Sequence, residues 1–200
     1  MYKTILALVF IAFFTISANA QTAPLQAEDI SPLLIGEILP PAQLLNADGK
    51  TIALNSILTA KPTVLVFYRG GWCPYCNAQL SGLVDIEQQI LDLGYQIVAV
   101  SPDDYRNLKN TEEKDKIKYQ VLSDKNGAFI KEVGIAFQTP SAIKGYVATQ
   151  GQKGETATVL PVPTVLIVTT KGEIVFEYIN PNYKQRISGD MLLAVLKTIK

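Results

Sequence analysis

The order of apolar and polar positions predicts alternating strands and helices. Residues 63–68, "TVLVFY", follow Pro62 as an unbroken β-branched and aromatic run, which is typical of a strand buried on both faces. From Cys73 to Leu93 apolar residues recur three or four positions apart, which predicts a helix that ends at Gly94. A buried strand that leads directly into a helix is therefore expected in the first half of the chain.

The alternation continues beyond this helix. Residues 95–101 and 119–124 have the apolar content of short buried strands. Between them, the charged segment 103–118 predicts a solvated surface helix and tail, without implying a function. Residues 126–135 predict a short helix closed by Gly134.

Towards the C-terminus, residues 163–179 predict two strands joined around Lys171-Gly172 as a hairpin. The segment before them, residues 138–160, is rich in small and polar residues with little periodicity, and we interpret it as either a flexible insert or a functional rim loop. The last segment, residues 188–200, predicts an amphipathic helix capped by Ser188. Its expected apolar stripe comprises Met191, Leu192, Val195 and Ile199.

These elements predict the α/β class, with a mixed central sheet covered by helices on both faces. An Asp48-Gly49 turn between two apolar pieces predicts an N-terminal β-hairpin extension within residues 42–58. We expect an arm over residues 21–41 and one folded domain over residues 42–200.

The first twenty residues have the pattern of a secretory signal peptide. Lys3 precedes an apolar run, and Ala18-Asn19-Ala20 is a small-residue cleavage signature. The run from Ile5 to Ile16 is short for an uncleaved anchor, because a membrane-spanning helix needs about 20 apolar residues. Cleavage before Gln21 would give an exported protein, periplasmic or secreted, with no membrane attachment.

Charge and composition remove several function classes. The chain has 18 basic and 18 acidic residues, so nothing in its charge indicates a nucleic acid or an anionic membrane as partner. It has no histidine, which excludes serine-histidine triads, histidine zinc sites and imidazole acid-base chemistry. We therefore predict no cofactor and no metal.

The candidate reactive residues are the two cysteines of the chain, Cys73 and Cys76. Three residues apart in the first turn of a helix, their sulfurs face the same side, and unpaired backbone N–H groups there lower a thiol pKa. Pro74 suits a first helical position, and Arg69 adds a nearby positive charge. So tight a disulfide stabilises little, and a zinc site would lack ligands, so redox cycling is the favoured interpretation.

The stretch "FYRGGWCPYCNAQL" resembles the thioredoxin-like superfamily and, within it, the peroxiredoxin-like alkyl hydroperoxide reductase/thiol-specific antioxidant group. The resemblance extends through "IVAVSPDD", "YQVLSD", "LPVPTVLIV" and "NPNYKQR", and covers residues 62–200. It implies a thioredoxin-like fold.

Two family patterns overlap on these residues. As a thioredoxin, the chain would use Cys73 as an exposed attacking thiol and Cys76 as the buried resolving thiol. As a peroxiredoxin, the pattern Pro-x-x-x-Thr-x-x-Cys would make Cys76 the peroxidatic thiol, with Arg69 in place of the proline and Cys73 in place of the threonine.

The stretch "PVPT" carries a second part of the resemblance. Thioredoxin-like folds place a cis-proline beside the cysteines, and Pro163 occupies that position. Val162 stands where typical peroxiredoxins have an arginine. An arginine that polarises the peroxide must come from elsewhere, and we name Arg69 and Arg186, with Arg106 on the surface helix a weaker candidate.

The resemblance implies two enzymatic functions. The first is an exported thiol peroxidase that reduces a hydroperoxide through a Cys73/Cys76 disulfide and is restored by a thioredoxin-like reductant. The second is an extracytoplasmic thiol-disulfide oxidoreductase that attacks protein disulfides through Cys73, with the backbone of Val162 and Pro163 offered to the substrate.

A non-catalytic module with structural cysteines is the third possibility. Around the sulfurs, we expect Tyr68 in the core and an exposed Trp72 that shapes a partner-binding surface together with Pro74 and Tyr75.

Overall fold

The computed structural model describes residues 22–150 and 158–199. The predicted signal peptide, residues 1–20, lies outside the described residues, so its cleavage stays a prediction. No helix within the described part of the chain has the length and apolar content to cross a membrane.

The strands and helices follow the predicted alternation. The strands are β1 Gln43–Leu45, β2 Thr51–Ala53, β3 Thr63–Phe67, β4 Gln96–Ser101, β5 Gln120–Ser123, β6 Ala136–Gln138, β7 Val159–Pro161, β8 Thr164–Val168 and β9 Ile174–Ile179. The helices are α1 Leu54–Leu58, α2 Pro74–Asp92, α3 Tyr105–Asp115, α4 Ala128–Glu132, α5 Ser141–Gln150 and α6 Gly189–Thr198.

A mixed sheet of seven strands has the order β2-β1-β5-β4-β3-β8-β9. The pairs β3-β4 and β4-β5 are parallel, and the remaining pairs are antiparallel. The predicted hairpins therefore form at both edges, β1-β2 at one and β8-β9 at the other. Strand β3 lies inside the sheet and all five of its residues are buried, which explains its unbroken apolar sequence.

The two faces of β3 belong to two separate cores. Val64 and Val66 pack with the apolar residues of α2 and α6, whereas Leu65 and Phe67 pack with those of α1 and α4. Successive side chains of a strand point to opposite faces, so one apolar strand contributes to both cores. Helices thus cover both faces, as predicted.

The C-terminal helix corrects one detail of the predicted pattern. Ser188 caps α6 as expected, because its Oγ accepts the N–H of Met191 at 3.2 Å. Met191 itself is 51% exposed and does not belong to the core stripe. That stripe is shifted round the helix, and its buried members are Leu192, Leu193 and Leu196.

The described parts of the segment 138–160, residues 138–150 and 158–160, contain more regular structure than the composition predicted. They contribute α5 and the strand β7, which pairs antiparallel with β6 in a separate two-stranded sheet. Few apolar residues mark α5 because it is a surface helix, in which Val147 is buried and Tyr146 exposed. Residues 151–157 lie outside the described residues.

The arm, residues 22–41, is bonded to the domain along its length. A 3₁₀ turn covers Ala27–Asp29, and farther on the N–H of Leu33 donates to the carbonyl of Val133 at 3.0 Å. The N–H of Gly36 donates to the carbonyl of Ile174 at 2.8 Å. The arm therefore holds α4 to the beginning of β9.

Candidate active site

The cysteine turn follows directly from the end of β3. The N–H of Tyr68 still bonds to the carbonyl of Val100 at 3.0 Å, and the chain then turns at Gly70, whose φ of +143° favours glycine. The N–H of Cys73 donates to the carbonyl of Gly70 at 3.1 Å. Cys73 is the N-cap of α2 and Pro74 its first residue, as the sequence predicted.

The two sulfurs are in contact, reduced and buried. Cys73 is 1% exposed, Cys76 is 0% exposed, and neither forms a disulfide. The thioredoxin interpretation of Cys73 as an exposed thiol is therefore wrong for this state. Its side chain belongs to the core between β3, α2 and α6.

The hydrogen bond between the thiols separates their pKa values. Donation from Cys76 lowers the pKa of Cys73, and the Arg69 and Arg186 charges lower it further against the effect of burial. Burial above all raises the pKa of Cys76, and the Cys73 thiolate adds to that rise. The pair is thus arranged to lose one proton and to keep the other between the sulfurs.

Two guanidinium groups flank the sulfurs in different ways. Nη2 of Arg186 lies 3.6 Å from Sγ of Cys76. Arg69 is buried, with its guanidinium carbon 5.0 Å from the ring centroid of Trp72 and 4.4 Å from that of Tyr183. Both arginines named from the sequence are therefore at the site, Arg186 in contact with sulfur and Arg69 held between aromatic rings.

An aromatic layer covers this arrangement. Trp72 meets Tyr146 edge-on at 5.9 Å between centroids, and Tyr75 meets Tyr183 at 5.7 Å. Trp72 is half-buried rather than exposed as expected, since it packs against the cluster of Phe137, Leu160 and Val162 and meets Tyr146 of α5. Tyr75 and Pro74 are exposed. Tyr68 is fully buried, in agreement with its predicted place in the core.

Val162 and Pro163 are placed differently from the expected substrate edge. No peptide bond among the described residues is cis, so the bond before Pro163 is trans, contrary to the family expectation. Both residues are buried. The N–H of Val162 donates to the carbonyl of Ile135 at 2.8 Å, and the carbonyl of Pro163 accepts from Asn180 at 3.1 Å. These backbone groups are thus already used within the fold.

The weaker candidate, Arg106, lies away from the sulfurs. It is on α3, where its side chain is 59% exposed and pairs with Asp104 at 2.7 Å. This agrees with its predicted place on the surface helix.

Sequence reasoning missed two polar residues that hold the turn. Asp103 accepts the N–H of Gly71 through Oδ2 at 2.7 Å, and Asn77 donates to the carbonyl of Gly71 at 2.9 Å. The position of Asp103 carried a usable signal, because it follows a predicted buried strand. Carboxyl ends of neighbouring parallel strands meet at one edge of the sheet, which here is the edge that carries Cys73.

Comparison with known proteins agrees with this geometry. The profile described as the AhpC/TSA family matches residues 35–177 of the 200. The chain belongs to the AhpC/TSA family. This membership confirms the peroxiredoxin-like resemblance seen in the cysteine stretch.

Curated peroxiredoxins are relatives at moderate identity. Peroxiredoxin bcp1 of Schizosaccharomyces pombe is 30% identical over 104 residues, covering 52% of this chain and 53% of that protein. The chloroplastic peroxiredoxin Q of Triticum aestivum is 26% identical over 157 residues, covering 78% and 64% respectively. For Peroxiredoxin Bcp of Escherichia coli the identity is 26% over 106 residues, covering 53% and 67%. The chain thus spans between about half and two thirds of these relatives.

Solved peroxiredoxins share the fold. Reduced Prx3 from Vibrio vulnificus, in complex with H2O2, superposes with a TM-score of 0.71 at 19% identity, over 83% of this chain and 97% of that one. Peroxidoxin BcpB from Mycobacterium tuberculosis superposes with a TM-score of 0.64 at 19% identity, over the same shares. The predicted thioredoxin-like peroxiredoxin fold is confirmed.

Proposed function

We propose that this AhpC/TSA-family protein is a thiol-dependent peroxidase that reduces hydrogen peroxide or organic hydroperoxides through a cycle of Cys73 and Cys76. One observation carries the proposal: two reduced, buried sulfurs in contact at the start of α2, with Arg186 on one and a lowered pKa on the other. Such a pair supplies a thiolate and a partner thiol without a cofactor.

The cycle has three balanced steps. A thiolate attacks one oxygen of the hydroperoxide, the O–O bond breaks, and the sulfur becomes a sulfenic acid while the other oxygen leaves with a proton as alcohol or water. The second thiol then displaces water from the sulfenic acid and forms the Cys73–Cys76 disulfide. A dithiol reductant of thioredoxin type reduces the disulfide by exchange and is itself oxidised.

We infer that Cys73 is the attacking sulfur. The thiolate is the nucleophile, and the environment lowers the pKa of Cys73 and raises that of Cys76. Cys76 then serves as hydrogen-bond donor to the thiolate and as resolving thiol. Arg186, which lies on the Cys76 side, supports the negative charge shared by the pair. This assignment reverses the roles that the peroxiredoxin pattern implies.

Burial of the pair favours a small substrate over a protein disulfide. Neither cysteine is more than 1% exposed. The backbone N–H of Val162 and the backbone carbonyl of Pro163 are already hydrogen-bonded within the fold. A hydroperoxide needs space for two oxygens, which small movements of the covering rings can supply. An extended protein segment would need the whole aromatic layer to move.

Peroxide consumption with a thioredoxin system tests the function, with reduction of insulin disulfides measured in parallel. Wild type should consume peroxide catalytically, and both Cys73→Ser and Cys76→Ser should abolish turnover. One equivalent of peroxide should oxidise Cys76→Ser to a trapped sulfenic acid on Cys73, detected by mass spectrometry after dimedone labelling. Cys73→Ser should give no such adduct.

The alternatives predict different results. Labelling of Cys76 in Cys73→Ser, with none of Cys73 in Cys76→Ser, would restore the family assignment of the peroxidatic thiol. Insulin reduction without peroxide consumption would favour the oxidoreductase.

We propose further that the protein acts outside the cytoplasm. The support is the N-terminal pattern, a lysine followed by a short apolar run and a small-residue cleavage signature ending at Ala20. Expression of the full chain in a Gram-negative host should yield a periplasmic product whose N-terminus is Gln21. An unprocessed chain retained with the membrane fraction would contradict this.

A further inference from the structure

A buried carboxyl group stands beside the cysteine turn and has no part in the cycle described above. Asp103 follows β4 and is 2% exposed. Its Oδ2 accepts the N–H of Gly71 at 2.7 Å, and its backbone carbonyl accepts the hydroxyl of Ser123. The carboxyl group is therefore fixed against Gly71, which stands two residues before Cys73 in the chain.

The other carboxyl oxygen of Asp103 is unoccupied by any described donor. Oδ1 has no hydrogen-bond partner, and neither does Nε1 of Trp72. Both atoms surround the same point, because a Cβ placed on Gly70 would lie 2.6 Å from Oδ1 and 2.3 Å from Nε1. An unpaired buried oxygen is costly, and protonation or a bridging water would satisfy it, so this carboxyl group is placed to hold a proton.

The carboxyl group has a route to water. Asp103 and Trp72 line a cleft of about 240 Å³, together with Asn110, Thr111 and Lys114 of α3. These polar walls and this volume suit several bound waters, which connect the carboxyl group of Asp103 to solvent; neither cysteine lines the cleft.

The charges around Asp103 couple it to the sulfurs. Burial raises the pKa of Asp103 to about 7, the Gly71 N–H opposes the rise, and the charges of Asp104 and the Cys73 thiolate add to it. Tyr68, fully buried just after β3, has its pKa raised above all by burial, and the charges of Asp103 and Cys76 add to that rise. Lys114 lines the outer cleft. A thiolate on Cys73 and a carboxylate on Asp103 therefore disfavour each other. Near neutral pH the two groups hold one proton between them, so one is ionised while the other is protonated.

We propose that Asp103 holds a proton while Cys73 is a thiolate and returns it, through a bridging water, to the oxygen that leaves the hydroperoxide. This inference rests on the proposed peroxidase function. In one turnover the thiolate of Cys73, the thiol of Cys76, protonated Asp103 and ROOH give the disulfide, ROH, water and ionised Asp103. The O–O bond breaks, two electrons pass from sulfur to oxygen, and no proton is taken from solvent. Reduction of the disulfide restores both thiols, and the Cys73 thiol then transfers its proton to the Asp103 carboxylate, which restores the starting state.

The test is a single turnover with one equivalent of hydrogen peroxide, without reductant, in weak buffer with a pH indicator near pH 6.5. Wild type should take up well under one proton per disulfide formed. Asp103→Asn keeps an oxygen that can accept the Gly71 N–H, but its amide has no ionisable proton. This variant should therefore take up nearly one proton from solvent per disulfide formed. Its rate of oxidation should fall roughly tenfold or more, since positioned proton donors contribute at least that much.

Asp115→Asn is the matched control. Asp115 on α3 is also buried and also has an unpaired carboxyl oxygen, but its pKa is raised by burial alone, without a contribution from the cysteines. It should leave the proton uptake and the oxidation rate of wild type unchanged.

Several results would overturn the inference. Uptake of one full proton per disulfide by wild type would overturn it without any variant. Equal proton uptake and equal oxidation rates in Asp103→Asn and Asp115→Asn would overturn it as well. If Asp103→Asn does not fold, Asp103→Ser is measured in its place, because it too holds no ionisable proton, and proton uptake equal to that of wild type would overturn the inference. A wild type that peroxide does not oxidise would instead remove the proposed function, and this inference with it.

Discussion

At the scale of single residues, the two arginines beside the sulfurs carry different interactions. Arg69 contributes charge from between two aromatic rings, whereas Arg186 places Nη2 3.6 Å from the sulfur of Cys76. Both could be named from the sequence because the family resemblance implies an arginine at the site, and the chain has only three. The separate contacts of the two arginines could not be predicted from the sequence, since Arg186 lies 110 positions from Cys76 along the chain.

Loss of Arg186 should weaken the thiolate. Arg186→Ala removes the guanidinium that lowers the pKa of Cys73 and opposes the rise at Cys76, so thiolate formation should move to higher pH. We expect about a tenfold lower rate of peroxide oxidation at pH 7, which corresponds to ~1.4 kcal/mol. Stopped-flow tryptophan fluorescence between pH 5 and 9 measures both changes.

Arg186→Lys should recover part of the rate, because it keeps the charge. The control is Arg106→Ala, which removes an exposed arginine from α3 and should leave the pH profile unchanged. An Arg186→Ala profile that coincides with wild type would show that Arg186 does not stabilise the thiolate.

At the scale of elements, α3 depends on the residue that caps its N-terminus. Asp104 is the N-cap, and its Oδ1 accepts the backbone N–H of Arg106 at 3.0 Å. Its carboxylate also pairs with the Arg106 and Lys125 side chains. The sequence predicted a charged surface helix here but placed its start near Asp103. The start of α3 is set by the different contacts of two adjacent aspartates. Asp104 caps the helix, whereas Asp103 accepts the N–H of Gly71 in the cysteine turn.

The stability contributed by Asp104 should disappear in acid. The hydrogen bond from the Arg106 side chain is the largest cause that lowers the pKa of Asp104 from 3.8 to about 2. Because the folded pKa is the lower one, the stabilisation is present above about pH 4 and is lost as pH falls towards 2. Asp104→Ala should cost about 1 kcal/mol at pH 7, as for other N-caps.

Urea unfolding at pH 7 and pH 3 measures this effect. Asp104→Asn keeps a capping oxygen, so its deficit relative to wild type should be present at pH 7 and should shrink at pH 3. A deficit that grows in acid would contradict the assigned sign.

At the scale of the whole molecule, the arm and the domain fit closely. A Cβ at Gly134 would lie 2.0 Å from the carbonyl oxygen of Ser31, and Gly134 has a φ of +77°. The sequence identified Gly134 as a helix end, which it is. Only the packed structure explains why no side chain fits there.

Gly134→Ala should loosen the arm. The backbone of Ser31 cannot move aside without breaking the bond between Leu33 and Val133, so we expect a loss of about 1–3 kcal/mol and early proteolysis within the arm. Urea unfolding and timed digestion with mass spectrometry measure both.

Gly172→Ala provides the comparison. Gly172 has a similar φ of +83°, but its added Cβ would meet only a side-chain carbon of Ile38 at 3.6 Å. It carries the same backbone strain without the overlap, so equal losses in the two variants would exclude arm contact as the cause.

Features that local chemistry and periodicity control could be predicted from the amino-acid sequence alone. These are the alternation of strands and helices, the sheet with helices on both faces, the cysteine pair at a helix start and the absence of histidine chemistry. Apolar periodicity carries this information because each element buries the face that the sequence makes apolar.

Only the tertiary structure decided features set by distant segments. Three such features depend on chain parts far apart in sequence: the burial of Cys73, the unpaired carboxyl oxygen of Asp103 and the contact of Arg186 with Cys76. A residue type states which bonds a side chain can make, and packing decides which partner reaches it and whether water is excluded.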